Sequence, residues 1–230
     1  RLVPLFTRSF PEVKCVARCL EPADYIQNGK FDYQIPIASL GQYLRNDEAS
    51  FGDGAGFLFS DKMKTEELRQ KYKAGNDLII GIAWFSSDGR GLSKSMPLRA
   101  LRPLFEVSGT QFVDLQYGDQ SIERQAFEKE TKFTLIHDDS IDQMKNIDDF
   151  AAQISALDLV ISISNTTAHI AGALGVPTLL MLGAVPMQRW LMDRSNSPWY
   201  GSIEVIRQRK EDDAAYVIDI VKKRLEELKP

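Results

Sequence analysis

From residue 78 onward the chain alternates short β-rich apolar runs with stretches whose apolar positions recur every three or four residues. That alternation is the signature of βαβ units building a parallel sheet. The runs 78–84, 112–116, 133–136, 159–163 and 176–182 are predicted strands of a doubly wound α/β sheet. Between them the pattern predicts a helix over 97–106 with Gly109 beyond its end, and a charged helix over 122–130. A third begins at Asp148 or Asp149 and carries Phe150, Ile154 and Leu157 on one face, with its acids at the positive end of the helix dipole. A fourth, capped by Asn165 or Thr166, runs to Leu174 and stops at Gly175. The chain closes on an amphipathic helix with Val217, Ile220, Val221 and Leu225 on one stripe.

The residues before 75 read differently. An amphipathic helix at Leu2-Val3-Pro4-Leu5-Phe6 is followed by predicted strands at 13–17 and 33–37, a short segment at 40–45, the glycine-rich stretch 51–56 and a charged helix over 61–72. Two strands do not make a stable sheet by themselves, so this part is expected to be the end of a preceding α/β domain. The chain opens at Arg1, with no Met and no leader pattern, which fits a piece of a longer protein. The expected organisation is a partial N-terminal α/β domain with a linker helix over 1–75, a doubly wound C-terminal domain over 76–208, for which the resemblance given below implies nucleotide-sugar binding, and a terminal helix over 209–230.

Composition narrows the function classes. With 28 Lys and Arg against 32 Asp and Glu, the net charge is −4, which argues against a nucleic-acid partner or an anionic membrane surface. No apolar run approaches the roughly 18 residues of a membrane span. The two cysteines, Cys15 and Cys19, match neither a disulfide framework nor a zinc motif, and a reducing cytoplasm is the expected setting. Two histidines and no Cys/His constellation argue against a metal hydrolase. No G-x-G-x-x-G, G-x-x-x-x-G-K-[ST] or G-x-S-x-G stretch occurs, so Rossmann dehydrogenases, P-loop enzymes and Ser hydrolases lose support.

Ligands of open parallel sheets bind outside the carboxyl ends of the strands, so the residues just after each strand carry the chemistry. After the first comes a small, polar loop, 85–95, ending in Lys94 and Ser95; it either grips a phosphate or is a solvated loop in which Ser93 or Ser95 caps a helix. After the fourth comes Ser164-Asn165-Thr166-Thr167-Ala168-His169. Two hydroxyl residues on a helix N-terminus make an anion site, and plain N-capping is compatible with it. Gln116-Tyr117-Gly118 and His137-Asp138-Asp139 follow the second and third strands, where a base and a ribose would be held, although His137 also reads as a surface or packed histidine and the Asp pair as turn formers. His169, one turn into its helix, either reaches a ligand or braces the loop. Gly172 to Pro177 is structural, and 186–190 with 197–201 brings aromatic residues and Arg189 beside the last predicted strand as either a sugar wall or packing.

The segment Ile161-Ser162-Ile163-Ser164-Asn165-Thr166-Thr167-Ala168-His169-Ile170-Ala171-Gly172-Ala173-Leu174-Gly175-Val176-Pro177 resembles V-I-S-V-D-T-S-x-A-H-L-A-G-A-L-G-x-P of heptosyltransferase-like glycosyltransferases with the GT-B fold, including bacterial versions fused to tetratricopeptide repeats. Further matches keep the family's order: Gly81-Ile82-Ala83-Trp84, Lys94-Ser95-Met96-Pro97-Leu98, 112–116, Asp149-Phe150-Ala151, 189–194, Ser197-Pro198-Trp199-Tyr200 and Arg207-Gln208. The resemblance implies two Rossmann-like domains facing a cleft, with the sugar nucleotide on the C-terminal one, the acceptor on the N-terminal one, and the last helix packed back on the N-terminal part. It implies that Lys94 neutralises a diphosphate, that Thr166 and Thr167 hydrogen-bond it, that Gln116 meets the base or ribose, and that no metal is needed, a lysine and a helix dipole taking over charge stabilisation. The expected donor-binding set is Lys94, Ser95, Gln116, Asn165, Thr166, Thr167 and His169.

The chain departs from the family at Asn165, where Asp is common. The family's acidic base lies in a glycine-rich loop after the first strand of the N-terminal domain, and the 52–56 stretch falls too late to be that loop, so no catalytic residue is assigned. The expected activity is inverting sugar transfer from a nucleoside-diphosphate sugar to a hydroxyl of a carbohydrate or protein acceptor, with tetratricopeptide repeats elsewhere in the full-length protein. The alternative is a catalytically inactive GT-B relic that binds a nucleotide or a protein. An unrelated flavodoxin-like regulatory domain would account for the sheet but not for the ordered matches.

Overall fold

The strand from Leu78 to Ala83 is apolar at every position, as a strand covered on both faces must be, and it lies inside the sheet with a parallel neighbour on each side. A computed structural model describes residues 1–17, 28–73, 75, 77–86, 94–185, 187–210 and 213–228. Within them lie strands β1 (Leu78–Ala83), β2 (Thr110–Asp114), β3 (Leu159–Ile163), β4 (Thr178–Leu182) and β5 (Ile203–Arg207), all parallel and ordered β2-β1-β3-β4-β5. The helices are α1 (Val3–Ser9), α2 (Gly41–Leu44), α3 (Lys62–Tyr72), α4 (Arg102–Phe105), α5 (Ser121–Thr131), α6 (Ile147–Ser155), α7 (Thr166–Leu174) and α8 (Ala214–Glu227).

The period of two along the strands sorts their side chains into two cores. Ile80, Ile82, Phe112, Leu159, Ile161, Ile163, Leu179, Met181 and Ile206 face one side, where Leu104 and Phe105 of α4, Phe127 of α5 and Val217, Val221 and Leu225 of α8 cover them. Ile79, Ala83, Val113 and Val160 face the other, under Leu5 of α1, Leu68 and Tyr72 of α3, Phe150 and Ile154 of α6 and Ile170 of α7. Gly81 points to this second side, where a Cβ would stand 2.3 Å from Leu115 Cδ1 and 2.5 Å from Leu157 Cδ1, so the residue that fits is the one without a side chain.

Four expectations are corrected. The stretches 13–17 and 33–37 form no strand among the described residues: they carry no ladder, Ile37 opens a single 3₁₀ turn, and Tyr33 and Ile37 are 94% and 84% exposed. A short apolar run without a partner strand, interrupted by Pro36, has nothing to pair with. The run 133–136 makes only an isolated parallel bridge from Ile136 to Val113 outside β2. Conversely, β5 was not predicted, because Glu204 and Arg207 interrupt its apolar pattern. Finally, among the described residues the buried stripe of α8 joins the core on the face opposite the one that Leu5, Leu58, Leu68 and Tyr72 cover, and Arg224 pairs with Glu204 of β5 at 3.0 Å, in place of the expected packing on residues 1–75.

The segment before residue 75 is built onto the sheet's own second core. Arg8 of α1 forks onto Asp148 of α6 at 2.7 and 2.8 Å, and Ser9 Oγ accepts from Phe59 N at 2.9 Å. The glycine-rich stretch is a strap across the end of α7. Phe57 N and Leu58 N both donate to Ala173 O, and Gly201 N donates to Gly54 O at 2.7 Å. A Cβ on Gly56 would lie 2.7 Å from Gly175 N, and one on Gly54, whose φ is +65°, would lie 2.4 Å from Gly201 N. Such backbone-to-backbone approach requires glycine.

Candidate functional site

Between β1 and β3 the chain reverses its direction of sheet building: it leaves β1 toward β2 on one side and returns to β3 on the other. With the Ile136 bridge counted beyond β2, the spatial order is 3-2-1-4-5-6 in sequence terms, which is that of dinucleotide-binding sheets. In such sheets the crevice at the reversal is where ligands sit. Here that crevice lies between the exit of β1 and the N-terminus of α7, which follows β3; Ala83 and Ser162, at these two strand ends, are register partners.

Asn165 is the N-cap of α7, with extended backbone and a side-chain Oδ1 that accepts from Ala168 N at 3.2 Å and from Ser162 Oγ at 3.0 Å. Its Nδ2 is buried and has no partner. Thr166 is exposed, whereas Thr167 is fully buried and its hydroxyl has no partner. Buried polar atoms without partners are uncommon and ask for an explanation. Both threonines line a cavity of about 190 Å³ with Tyr117, Gln143, Met144, Ile147, Phe150 and Arg1. The crevice is therefore open at the helix terminus, and an anion entering it would meet the free N–H groups and positive end of α7.

On the β1 side the sequence-predicted residues divide. Gln116 is buried and its amide is spent internally. Oε1 accepts from Trp84 N at 3.0 Å and Phe85 N at 2.8 Å, and Nε2 donates to Phe85 O and Tyr117 O, both at 3.0 Å. It staples the exits of β1 and β2, and it also lines the polar cavity outside β2 described below. Ser95 is the anchor of the loop's far end, since its Oγ accepts from Ser86 N at 3.0 Å. Lys94, half-buried beside it, is thereby held near the carboxyl end of β1. The loop residues 87–93, with Ser93 of the capping alternative, lie outside the described residues, as do Cys19 and Pro186.

His169 turns away from the crevice into an aromatic cluster. Nδ1 lies 3.1 Å from Tyr200 OH and Nε2 lies 3.1 Å from Arg189, and the ring stacks on Trp190 at 4.9 Å and 11°. Burial, reinforced by the Arg189 charge, pushes its pKa down to about 4, so the ring is neutral at pH 7. Trp190 in turn donates from Nε1 to Ser164 Oγ at 2.8 Å, one residue before the cap. The cluster braces the first turn of α7, one of the two roles open to His169.

Outside β2 lies a group that sequence reasoning only touched. Asp114, at the end of β2, accepts from Gln116 N at 2.8 Å, and its other oxygen lies 2.9 Å from His137 Nδ1 and 3.6 Å from Arg124. Burial raises its pKa, against the pull of these partners. His137, Asp114, Arg124, Asp119 and Asp139 line a polar cavity of about 380 Å³ that also reaches Gln143 and Met144 of the crevice wall. The sequence signal for Asp114 is a carboxylate inside the predicted strand 112–116, which the structure ends at this residue; Arg124 has none, because only the turn of α5 brings it inward. Asp138, by contrast, faces away and is tied to Lys71, Tyr72 and Ser140, a structural hub. Among the described residues no group of three or more His, Cys, Asp or Glu is gathered to hold a metal ion, and no helix is long and apolar enough to cross a membrane.

Comparison with solved structures decides the fold. The chain superposes on the glycosyl transferase family 9 protein of Veillonella parvula (TM-score 0.50, 15% identity, 74% of this chain and 47% of that one). It superposes equally on the ADP-heptose lipopolysaccharide heptosyltransferase II of E. coli (TM-score 0.51, 13% identity, 74% and 53%). A third match is E. coli heptosyltransferase WaaC with ADP (TM-score 0.50, 13% identity, 71% and 48%). The fold is that of the GT-B glycosyltransferases. The chain spans about half the length of these GT-B proteins. Among curated proteins, it is 32% identical over 215 residues to Protein FlbA of Caulobacter vibrioides, a match that covers 88% of this chain and 36% of that protein. No family model matches the chain.

Proposed function

We propose that this chain is the sugar-donor half of an inverting glycosyltransferase that uses a nucleoside-diphosphate sugar without a metal ion. The observation that carries the reading is the open cavity at the α7 N-terminus, at the sheet's point of reversal, lined by Thr166 and by Thr167 with its unpartnered hydroxyl. A diphosphate seated there receives the helix N–H groups and the two threonines, with Lys94 supplying a cation from the β1 side. The adjacent polar cavity around His137 and Asp139 suits the nucleoside. The heptosyltransferase neighbours, one of them solved with ADP, support this class of ligand.

In the reaction, the acceptor oxygen attacks the anomeric carbon from the side opposite the diphosphate. The carbon–oxygen bond to the phosphate breaks, and its electron pair leaves on the phosphate. The charge that grows there is stabilised by the α7 terminus and Lys94. The proton of the acceptor passes to a base that the described residues do not contribute. A carbohydrate or protein acceptor, tetratricopeptide repeats elsewhere in the full-length protein and a cytoplasmic setting belong to the same reading.

Thermal denaturation with a panel of nucleoside diphosphates tests it, because a ligand at 100 times its Kd stabilises the native state by about 2.7 kcal/mol. One member is expected to raise the Tm, and Lys94→Ala to weaken that effect. A panel without a stabilising member refutes the reading. Binding without transfer is the second reading, favoured by Asn165, which preserves the cap but removes the charge an Asp would bring. Sugar transfer by the full-length protein excludes it.

A further inference from the structure

The glycine-rich strap and the Trp199 turn are used by nothing in the proposed reaction, yet together they shape a third cavity, of about 420 Å³. It sits at the other edge of the sheet. Gly201 and Ser202 immediately precede β5, Gly175 precedes β4, and the strap is bonded to that end through Gly54 and Gly201. A strand of five residues, roughly 16 Å, separates this edge from the α7 N-terminus.

Its walls are Phe51, Phe57, Pro198 and Trp199, and its charged lining residues are one cation, Arg45, and one anion, Asp53. Trp199 and Phe57 are each 44% exposed, whereas the other two tryptophans are buried completely. The walls are preorganised. Phe51 meets Trp199 edge-to-face at 4.7 Å, Arg45 lies over the Phe51 ring at 5.7 Å, and Asp53 is fixed in a turn by accepting from Ala55 N at 3.0 Å. The Gly54–Gly201 contact locks the two halves of the wall together.

From this arrangement we infer a second binding site, for a neutral sugar ring of the pyranose type. The C–H face of a pyranose is apolar and packs on an exposed indole, while its hydroxyls each donate and accept, which matches a cavity that offers a guanidinium and a carboxylate beside aromatic walls. The equal and opposite charges of Arg45 and Asp53 disfavour an anionic ligand such as a nucleotide, and the volume falls in the range of about 300–1,000 Å³ typical of small-molecule sites. The inference does not rest on the proposed transferase activity, since the cavity lies at the opposite edge.

Of the three tryptophans only Trp199 is open to a collisional quencher, so acrylamide quenching of the 230-residue protein reports on this cavity. A panel of glucose, galactose, N-acetylglucosamine, maltose and lactose is titrated against it. At least one sugar is expected to protect Trp199 saturably, lowering the quenching constant about twofold, and to do so unchanged in saturating ADP. Arg45→Gln, at an exposed residue, is expected to weaken protection about tenfold. In saturation-transfer NMR the same sugar is expected to lose its signal with Trp199→Ala. No protection by any sugar overturns the inference. So does protection displaced by ADP, which would place the sugar in the crevice, or protection that rises with protein concentration alone, which would assign the face to a second copy of the chain.

Discussion

Replacing Gln116 by alanine is expected to damage the fold and to affect ligand binding only through it. The side chain satisfies two buried or half-buried N–H groups, of Trp84 and Phe85, and two carbonyls, of Phe85 and Tyr117. Truncation strands all four at the exits of β1 and β2. A typical hydrogen bond contributes about 1 kcal/mol net, and a buried group left unpaired costs about 1–3 kcal/mol. Trp84 is fully buried, while water reaches part of Phe85, so the sum is about 2–4 kcal/mol. For a chain of this size that is a Tm lowered by about 5–15 °C. Urea and thermal denaturation followed by circular dichroism measure it directly, and calorimetry of the same variant below its transition measures diphosphate binding. A variant that keeps its Tm within a degree or two but loses the nucleotide would refute the argument, because it would make Gln116 a ligand contact and not a staple.

Three further outcomes follow from particular residues. Thr167→Val is expected to leave the free protein as stable or slightly more so, since the hydroxyl it removes has no partner, while weakening diphosphate binding roughly tenfold; equal affinity in calorimetry would exclude the hydroxyl from the site. His169, held at about 4 by burial and by Arg189, leaves the native state binding fewer protons than the unfolded chain. Its contribution to stability is thus complete above the unfolded value of about 6.5 and is lost as the pH falls through that window toward 4. His169→Gln should flatten the urea midpoint between pH 7 and 4.5, and an unchanged slope would show that other groups govern it. Gly54→Ala forces a Cβ onto the Gly201 amide at a positive φ, a change costing about 2–4 kcal/mol locally. Hydrogen exchange at Phe57 and Leu58, whose amides donate to Ala173 O, is expected to accelerate sharply, and retained protection would show that the strap tolerates the side chain.

Local rules acting on neighbouring residues determined much of this protein in advance. A wholly apolar 78–83 reads as a central strand, Asn165 and Gly175 bound a helix by their capping chemistry, and the hydroxyls of Thr166 and Thr167 fall at its N-terminus whatever surrounds them. These features survive because they depend on period, cap and turn, which short stretches carry by themselves. What only the tertiary structure decided are the outcomes that depend on partners distant in sequence. Tyr33 and Ile37 have β-forming neighbours but no strand to pair with, and Ile136 finds room for one bridge only. Gln116 has the chemistry of a ligand contact, but the nearness of β1 makes it a staple, and His169 is claimed by Tyr200 and Arg189. The glycines at 54 and 56 show no ligand motif because their reason is another backbone, at Gly201 and Gly175, more than a hundred residues away. A side chain's role is set by which of its available partners reaches it first in space, and that order is a property of the assembled sheet.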